Sequence, residues 1–217
     1  MNQNTLRIYF ITDSGQMDEA TFLHKIEKAL QAGVTCLQLR EKEKNDLAYY
    51  ELASKVHKIS QAYQVPLIVD DRLDIALAVD AEGVHVGQND IPIREARRLL
   101  GPRKIVGATA KTVRQALQAE QDGADYLGVG AIYPTSTKVK TAITPVDTLH
   151  DICQAVRIPV NAIGGLTADN LGILAESGIS GVCVVSYLMQ APDIAENVNA
   201  LSHAIHTLFH SYRETRQ

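Results

Sequence analysis

The sequence predicts an α/β protein, a single (β/α)8 TIM barrel over residues 1–217. Short apolar runs alternate with helix-like runs from end to end, and no linker or low-complexity tract interrupts them. Most of the apolar runs are nearly continuous, which is typical of strands that helices cover on both faces. Glycine or proline recurs where a helical run gives way to the next apolar run, as at Gly123 and Pro159.

The pattern contains eight strand–helix units in succession. The apolar runs predict strands at residues 6–12, 34–39, 66–69, 83–86, 104–107, 125–130, 159–163 and 181–185. The amphipathic runs predict helices at residues 19–31, 47–61, 73–79, 93–100, 113–122, 147–156, 170–176 and 194–209.

Local signals support several of these boundaries. Gly33 is expected to end the first helix, Pro66 opens the third strand, and Thr112 is expected to cap the helix that follows it. An open doubly wound sheet is the alternative fold, but the turn at residues 11–15 lacks the glycine-rich motif of that fold. In a barrel, the chemistry belongs to the loops at the carboxyl ends of the strands.

The composition narrows the classes of partner. Hydrophobic residues make up 46% of the chain and charged residues 21%, and the net charge is −4. Nothing in this balance favours nucleic acid or an anionic membrane, so small molecules are the expected partners. An anionic substrate must then be attracted by local charges and metal rather than by the overall field. A homo-oligomer is compatible with the same composition.

The cysteines and the N-terminus both predict a cytoplasmic protein. Cys36, Cys153 and Cys183 lie far apart in apolar or mixed stretches, which argues for reduced thiols and against a disulfide framework or a zinc site. The first residues lack the order of a signal peptide. No apolar run approaches the roughly 20 residues that span a bilayer.

Two acidic residues follow neighbouring predicted strands. Asp71 comes after the third strand and Asp90 after the fourth, so the carboxyl ends of parallel strands would bring them to the same rim. Paired carboxylates without a soft ligand suit Mg²⁺, usually shared with a phosphate. Taken singly, Asp70, Asp71 and Asp90 are equally explained as caps at helix starts.

Further polar residues follow the other strands. Gln38, Arg40 and Lys42 share one face of the second strand and suit a diphosphate, although a charged surface turn explains them as well. Thr109 offers a hydroxyl after the fifth strand. His85, inside the fourth strand, is expected to be a satisfied interior side chain.

The last three strands lead into an expected phosphate site. After the sixth strand, residues 135–138 supply three hydroxyls and a lysine, which suit an oxyanion, although a polar surface loop has the same composition. Gly164 and Gly165 follow the seventh strand, and a helix start at Ser186 follows the eighth. Glycines and a helix start at these two places form the usual phosphate pocket of such barrels.

Together, these motifs resemble the thiamine-phosphate synthase family. The matching residues are 38–42, 71–72, 83–90, 135–138, 164–165 and 185–186, which occur in family order along nearly the whole chain. The resemblance implies a transferase that couples a hydroxymethylpyrimidine diphosphate to a thiazole phosphate or its carboxylate. Diphosphate leaves first, the thiazole nitrogen attacks the resulting cation, and thiamine phosphate is formed.

The resemblance also assigns roles to residues. It implies that Asp71 and Asp90 bind Mg²⁺, and that the catalytic residues are Arg40, Lys42, Lys138 and Thr109. The substrate-binding residues that it implies are Gln38, Arg40, Lys42, Asp70, Thr109, Thr135, Ser136, Thr137, Lys138, Gly165, Val185 and Ser186. Such a reaction needs the charge of the leaving group neutralised and water excluded, rather than a strong nucleophile from the protein.

The chain departs from the family pattern at Asp70, where the family usually has Asn, and at Thr109, where it usually has Ser.

Two alternative functions are considered. A related thiazole tautomerase carries histidines at the positions of Gln38 and Ala131, and this chain carries neither. A noncatalytic barrel that binds thiamine precursors is favoured only by the extra anion at Asp70.

Overall fold

A computed structural model describes residues 3–135 and 141–214. Its strands form a closed barrel in chain order, and every neighbouring pair is parallel. The strands are β1 (Ile8–Ile11), β2 (Cys36–Leu39), β3 (Leu67–Asp70), β4 (Gly83–Val86), β5 (Ile105–Ala110), β6 (Tyr126–Gly130), β7 (Val160–Ile163) and β8 (Gly181–Val184). The predicted (β/α)8 barrel is therefore confirmed.

Helices follow the strands around the outside of the barrel. They are α1 (Glu19–Gln31), α2 (Asp46–Ala62), α3 (Leu73–Ala78), α4 (Ile93–Leu100), α5 (Val113–Gln121), α6 (Val146–Ala155), α7 (Ser186–Met189) and α8 (Ile194–Glu214). The side chain of Thr112 accepts a hydrogen bond from the Gln115 N–H at the start of α5, so the predicted cap is confirmed.

Several predicted elements differ from the structure. Leu6, expected to begin the first strand, lies instead in a 3-10 helix, Gln3–Leu6. The helix expected at 170–176 is a 3-10 helix, Ala168–Leu174, whose Gly172 disfavours a regular α-helix. Strand β5 runs to Ala110 rather than ending at 107, because Thr109 and Ala110 pair with β6. Helix α8 runs on to Glu214, beyond the expected end at 209.

The strand residues divide between two cores. On β1, Ile8 and Phe10 pack outward against the helices, whereas Tyr9 and Ile11 belong to a smaller cluster inside the barrel. This alternation follows the period of two along a strand. The inner cluster contains Leu6, Tyr9, Ile11, Cys36, Ile68, Tyr126 and Cys183. Because it includes two phenols and two thiols, the interior of the barrel is more polar than the outer layer.

The cysteines are unpaired, as expected. Cys36 and Cys183 are buried inside the barrel, and Cys153 is partly buried on α6. Burial raises the pKa of all three thiols, so they stay protonated near neutral pH. Within the described parts of the chain, no helix is both long and apolar enough to cross a membrane.

Candidate active site

A cavity of about 340 Å³ opens at the carboxyl ends of the strands. Its lining includes every described residue that the sequence analysis placed in the site. These residues are Gln38, Arg40, Lys42, Asp70, Asp71, Asp90, Thr109, Thr135, Gly165, Val185 and Ser186. The predicted Ser136, Thr137 and Lys138 lie outside the described residues. One cavity is therefore lined by predicted site residues from seven of the eight strands or the loops after them.

The carboxyl groups of Asp71 and Asp90 lie against each other at this rim. Burial raises the pKa of Asp90, and the neighbouring charge of Asp71 adds to the effect. Burial alone would also raise the pKa of Asp71, but the hydrogen bond and the charge of Lys42, together with the hydrogen bond to Asp90, outweigh it and lower that pKa. The topology thus produces the carboxylate pair that the sequence predicted.

The alternative reading of these aspartates as helix caps is wrong. No side chain caps α3 or α4, whose N-cap residues are Arg72 and Pro92. Asp90 instead accepts a 2.7 Å hydrogen bond from the Gly87 N–H, which closes its own turn. Asp71 has φ 59°, a left-handed conformation that Asp adopts more readily than most residues, and its N–H donates to the His85 carbonyl at 2.8 Å.

Two cations face the carboxylates. The Lys42 Nζ donates to Asp70 Oδ2 at 2.8 Å and also bonds Asp71. The Arg40 guanidinium bonds Asp13 at 3.0 Å and lies 3.9 Å from Asp70. Asp13, two residues after β1, was not predicted, although it follows a strand that neighbours β2. The charged strand exit predicted at residues 38–42 is therefore part of the cavity rather than a surface turn.

Asp70, Asp71 and Asp90 form an acidic corner of the cavity, and this corner suits a hard cation. Asp71 and Asp90 offer only carboxylate oxygens, which Mg²⁺ prefers, and the Lys42 ammonium already lies against them. Within residues 3–135 and 141–214, no group of three or more histidine, cysteine or acidic side chains is arranged to hold a metal. A magnesium ion here would thus take two protein ligands and complete its shell with water and phosphate oxygens.

A chain of hydrogen bonds forms the floor of the cavity. Gln38 Nε2 donates to the Tyr9 hydroxyl at 2.8 Å, and the Tyr9 and Tyr126 hydroxyls lie 2.7 Å apart. His85 Nδ1 lies 3.0 Å from the Tyr126 hydroxyl, and its Nε2 lies 3.0 Å from Thr109 Oγ1. His85 is therefore the satisfied interior side chain that the sequence predicted. Tyr9 and Tyr126 were missed, although a tyrosine inside each of these predicted strands was a signal.

The opposite wall is built from main chain. Gly164 and Gly165 have φ 103° and 64°, and a Cβ on Gly165 would lie 2.7 Å from both the Pro134 carbonyl oxygen and the Tyr133 Cβ. Val185 and Ser186 begin α7 beside these glycines. The close approach of two loops explains why glycine is needed after β7, and it leaves main-chain groups facing the cavity.

Lys111 is a cavity residue to which the sequence analysis gave no role. Its Nζ donates to Thr141 Oγ1 at 2.9 Å and to the Ala142 carbonyl at 3.1 Å. The lysine therefore ties the end of β5 to the chain that leads into α6. Only the tertiary structure shows this link, because 30 residues separate Lys111 from Thr141.

Fold and site together define a barrel enzyme of small-molecule phosphate chemistry. A family model described as thiamine monophosphate synthase matches residues 8–188. The chain belongs to this family. A solved structure, thiamine phosphate pyrophosphorylase from Pyrococcus furiosus, superimposes with a TM-score of 0.86 at 35% identity, and the match covers 95% of this chain and 98% of that one.

Curated relatives agree with the family model. Thiamine-phosphate synthase 2 of Streptococcus pneumoniae serotype 4 is 53% identical over 208 residues, or 96% of this chain and 99% of the relative. Thiamine-phosphate synthase of Lacticaseibacillus paracasei is 51% identical over 201 residues, or 93% of this chain and 94% of the relative. The predicted family is thus confirmed.

Proposed function

We propose that the protein is a thiamine-phosphate synthase. It joins 4-amino-5-hydroxymethyl-2-methylpyrimidine diphosphate to 4-methyl-5-(2-phosphoethyl)thiazole, or to the carboxylate of that thiazole. Diphosphate is released, together with CO2 when the carboxylate is used. The observation that carries the proposal is the single cavity, which gathers all described members of the residue set that the family resemblance implied.

Arg40 and Lys42 hold the diphosphate and neutralise the charge that develops as it leaves, and Lys138 assists them. Both described cations are already directed at the acidic corner. Asp71 and Asp90 hold Mg²⁺, which supplies further stabilisation of the leaving group when bound. Preorganised charge of this kind is the main source of catalysis for a reaction in which a bond to a phosphate oxygen breaks first.

The two substrates occupy different walls of the cavity. Gln38 and Thr109 position the pyrimidine diphosphate beside Asp70. The thiazole phosphate is held by Thr135, Ser136, Thr137, Gly165, Val185 and Ser186. Close packing of the two substrates excludes water, so that the thiazole nitrogen rather than water attacks the pyrimidine methyl cation.

The alternatives have less support. A tautomerase would need a histidine where the cavity presents Gln38 and Ala131. A noncatalytic binding protein was favoured by the extra anion at Asp70, but Asp70 is engaged by Lys42 at 2.8 Å. We further propose that residues 1–217 form one catalytic domain and that it acts in the cytoplasm, where its free thiols stay reduced.

The test is a coupled measurement of both products. Purified protein is incubated with both substrates and Mg²⁺, and thiamine phosphate and diphosphate are quantified. We expect equal amounts of the two, loss of both with EDTA, and recovery when Mg²⁺ is restored. Diphosphate release without the thiazole would indicate hydrolysis instead. Absence of thiamine phosphate under every metal condition would contradict the proposal.

A further inference from the structure

The hydrogen-bond chain on the cavity floor connects opposite walls of the barrel. It begins at Gln38 on β2, passes through Tyr9 and Tyr126 in the barrel interior, and reaches Thr109 on β5 through His85. Tyr9 and Tyr126 are fully buried, at 1% and 0% exposure. Burial raises the pKa of both phenols well above its ordinary value, so both keep their protons.

One direction of this chain gives each of its hydrogen bonds a single hydrogen. The Gln38 amide nitrogen only donates, so the Tyr9 oxygen accepts there, and we assign the Tyr9 hydrogen to the Tyr126 oxygen 2.7 Å away. The Tyr126 hydrogen then goes to His85 Nδ1, which must carry a lone pair. With this assignment and a neutral imidazole, the one N–H of His85 is on Nε2 and is donated to Thr109 Oγ1.

The fold makes room for these rings at two glycines. A Cβ built on Gly107 would overlap the Tyr126 ring, and one on Gly128 would lie 3.4 Å from His85 Cε1. The ring centroids of His85 and Tyr126 lie 5.6 Å apart, and those of Tyr9 and Tyr126 lie 5.7 Å apart. The glycines of β5 and β6 thus allow the polar rings to lie side by side.

We propose that this chain fixes Thr109 as a hydrogen-bond donor to the diphosphate, and that Tyr9, Tyr126 and His85 are positioning residues for it. Because Thr109 Oγ1 accepts from His85, the hydroxyl hydrogen is directed to another acceptor, and Thr109 lines the cavity. Phosphate oxygens accept hydrogen bonds and do not donate them. The opposite direction would turn the Thr109 lone pairs toward the same anion. The identity of the anion rests on the proposed function.

The first test does not depend on activity. Nitrogen NMR of protein labelled with ¹⁵N-histidine distinguishes the two imidazole tautomers, and His85→Gln identifies the His85 signals among the seven histidines. We expect the hydrogen on Nε2 of His85. The opposite tautomer, or a rapidly averaging mixture, would overturn the proposal even if the enzyme is active. Detection of the expected tautomer would support the proposed direction of the hydrogen-bond chain even if the protein makes no thiamine phosphate.

The second test compares variants. Tyr126→Phe removes the donor to His85, so we expect the tautomer signals to average. We also expect kcat/KM to fall roughly fivefold to tenfold, the effect of one net hydrogen bond. Tyr49→Phe is the matched control, because it removes another buried hydroxyl, one that donates to the Leu39 carbonyl at 2.8 Å. It should leave the His85 signals unchanged.

A double-mutant cycle separates positioning from a general structural effect. Thr109→Val removes the hydroxyl that the chain is proposed to direct. In the Thr109→Val background, we expect Tyr126→Phe to change kcat/KM less than about twofold, because its effect passes through Thr109. An undiminished effect of Tyr126→Phe in that background would contradict the proposal. If Tyr126→Phe does not fold, the His85 tautomer measured in the unmodified protein still tests the proposal.

Discussion

Asp70 places a third negative charge beside Asp71 and Asp90. Its side chain is 10% exposed, and burial, reinforced by the charge of Asp71, raises its pKa. Lys42 at 2.8 Å and Arg40 at 3.9 Å compensate for this cost. The same two cations are those proposed to hold the diphosphate. Asp70 and the diphosphate of the substrate therefore compete for the same two cations.

We expect Asp70→Asn to keep or raise activity. Removing the competing anion should lower the KM for the pyrimidine diphosphate roughly threefold to tenfold, or about 0.7 to 1.4 kcal/mol. Steady-state kinetics with each substrate varied in turn measures this. Asp74→Asn is the matched control, because Asp74 pairs with Arg72 and its side chain is 64% exposed. Loss of activity in Asp70→Asn alone would show that the carboxylate itself is needed.

Asp71→Asn and Asp90→Asn should damage turnover far more than folding. Each removes one proposed metal ligand, and we expect kcat/KM to fall roughly 100-fold, as for other groups that stabilise transition-state charge. Relief of the repulsion between the two carboxylates offsets the weakened pairing of Asp71 with Lys42, so thermal stability should change little. Kinetics over a Mg²⁺ titration, with melting followed by circular dichroism, tests both statements. Full activity of both variants at low Mg²⁺ would refute the metal site.

Among the elements, the turn after β7 depends strongly on its residue type. Gly165 has φ 64°, and its missing Cβ leaves space for the loop after β6. We expect Gly165→Ala to raise the KM for the thiazole substrate roughly tenfold or more, because the two loops must separate. Gly172→Ala is the control, since a Cβ there meets nothing within 4 Å. Equal kinetics for both variants would mean that this turn does not shape the thiazole site.

The predictable part of the site is the part that follows from strand order. Asp71 and Asp90 were placed together because each ends one of two neighbouring parallel strands, and the same reasoning placed Gly165 beside Ser186. Tyr9 and Tyr126 could not be paired in this way. Their contact joins residues 117 apart across the barrel interior, and it depends on register and inward orientation that the apolar pattern does not fix.

Other element-level differences have similar causes. The exact end of β5 depends on pairing of Thr109 and Ala110 with β6, which is a tertiary effect. The pairing of Lys42 with Asp70 depends on side chains 28 residues apart. Alternating apolar runs thus predicted the barrel and the position of its rim. The side-chain partners of the rim residues could be identified only from the structure.

At the scale of the whole molecule, closing the barrel concentrates charge at one end of a chain whose net charge is only −4. Asp13, Asp70, Asp71 and Asp90 converge there on Arg40 and Lys42. A ligand that binds the folded protein and supplies the missing positive charge must stabilise it. Diphosphate supplies negative charge, so the metal and diphosphate are expected to bind better together than separately.

We therefore expect Mg²⁺ and diphosphate together to raise the melting temperature more than the sum of their separate effects. Saturation to about 100 times the dissociation constant contributes about 2.7 kcal/mol, or roughly 5 to 10 °C for a chain of this length. Differential scanning fluorimetry with each ligand alone and with both measures the shift. Asp90→Asn should abolish the joint effect and Asp74→Asn should retain it. An undiminished joint shift in Asp90→Asn would place the metal elsewhere in the molecule.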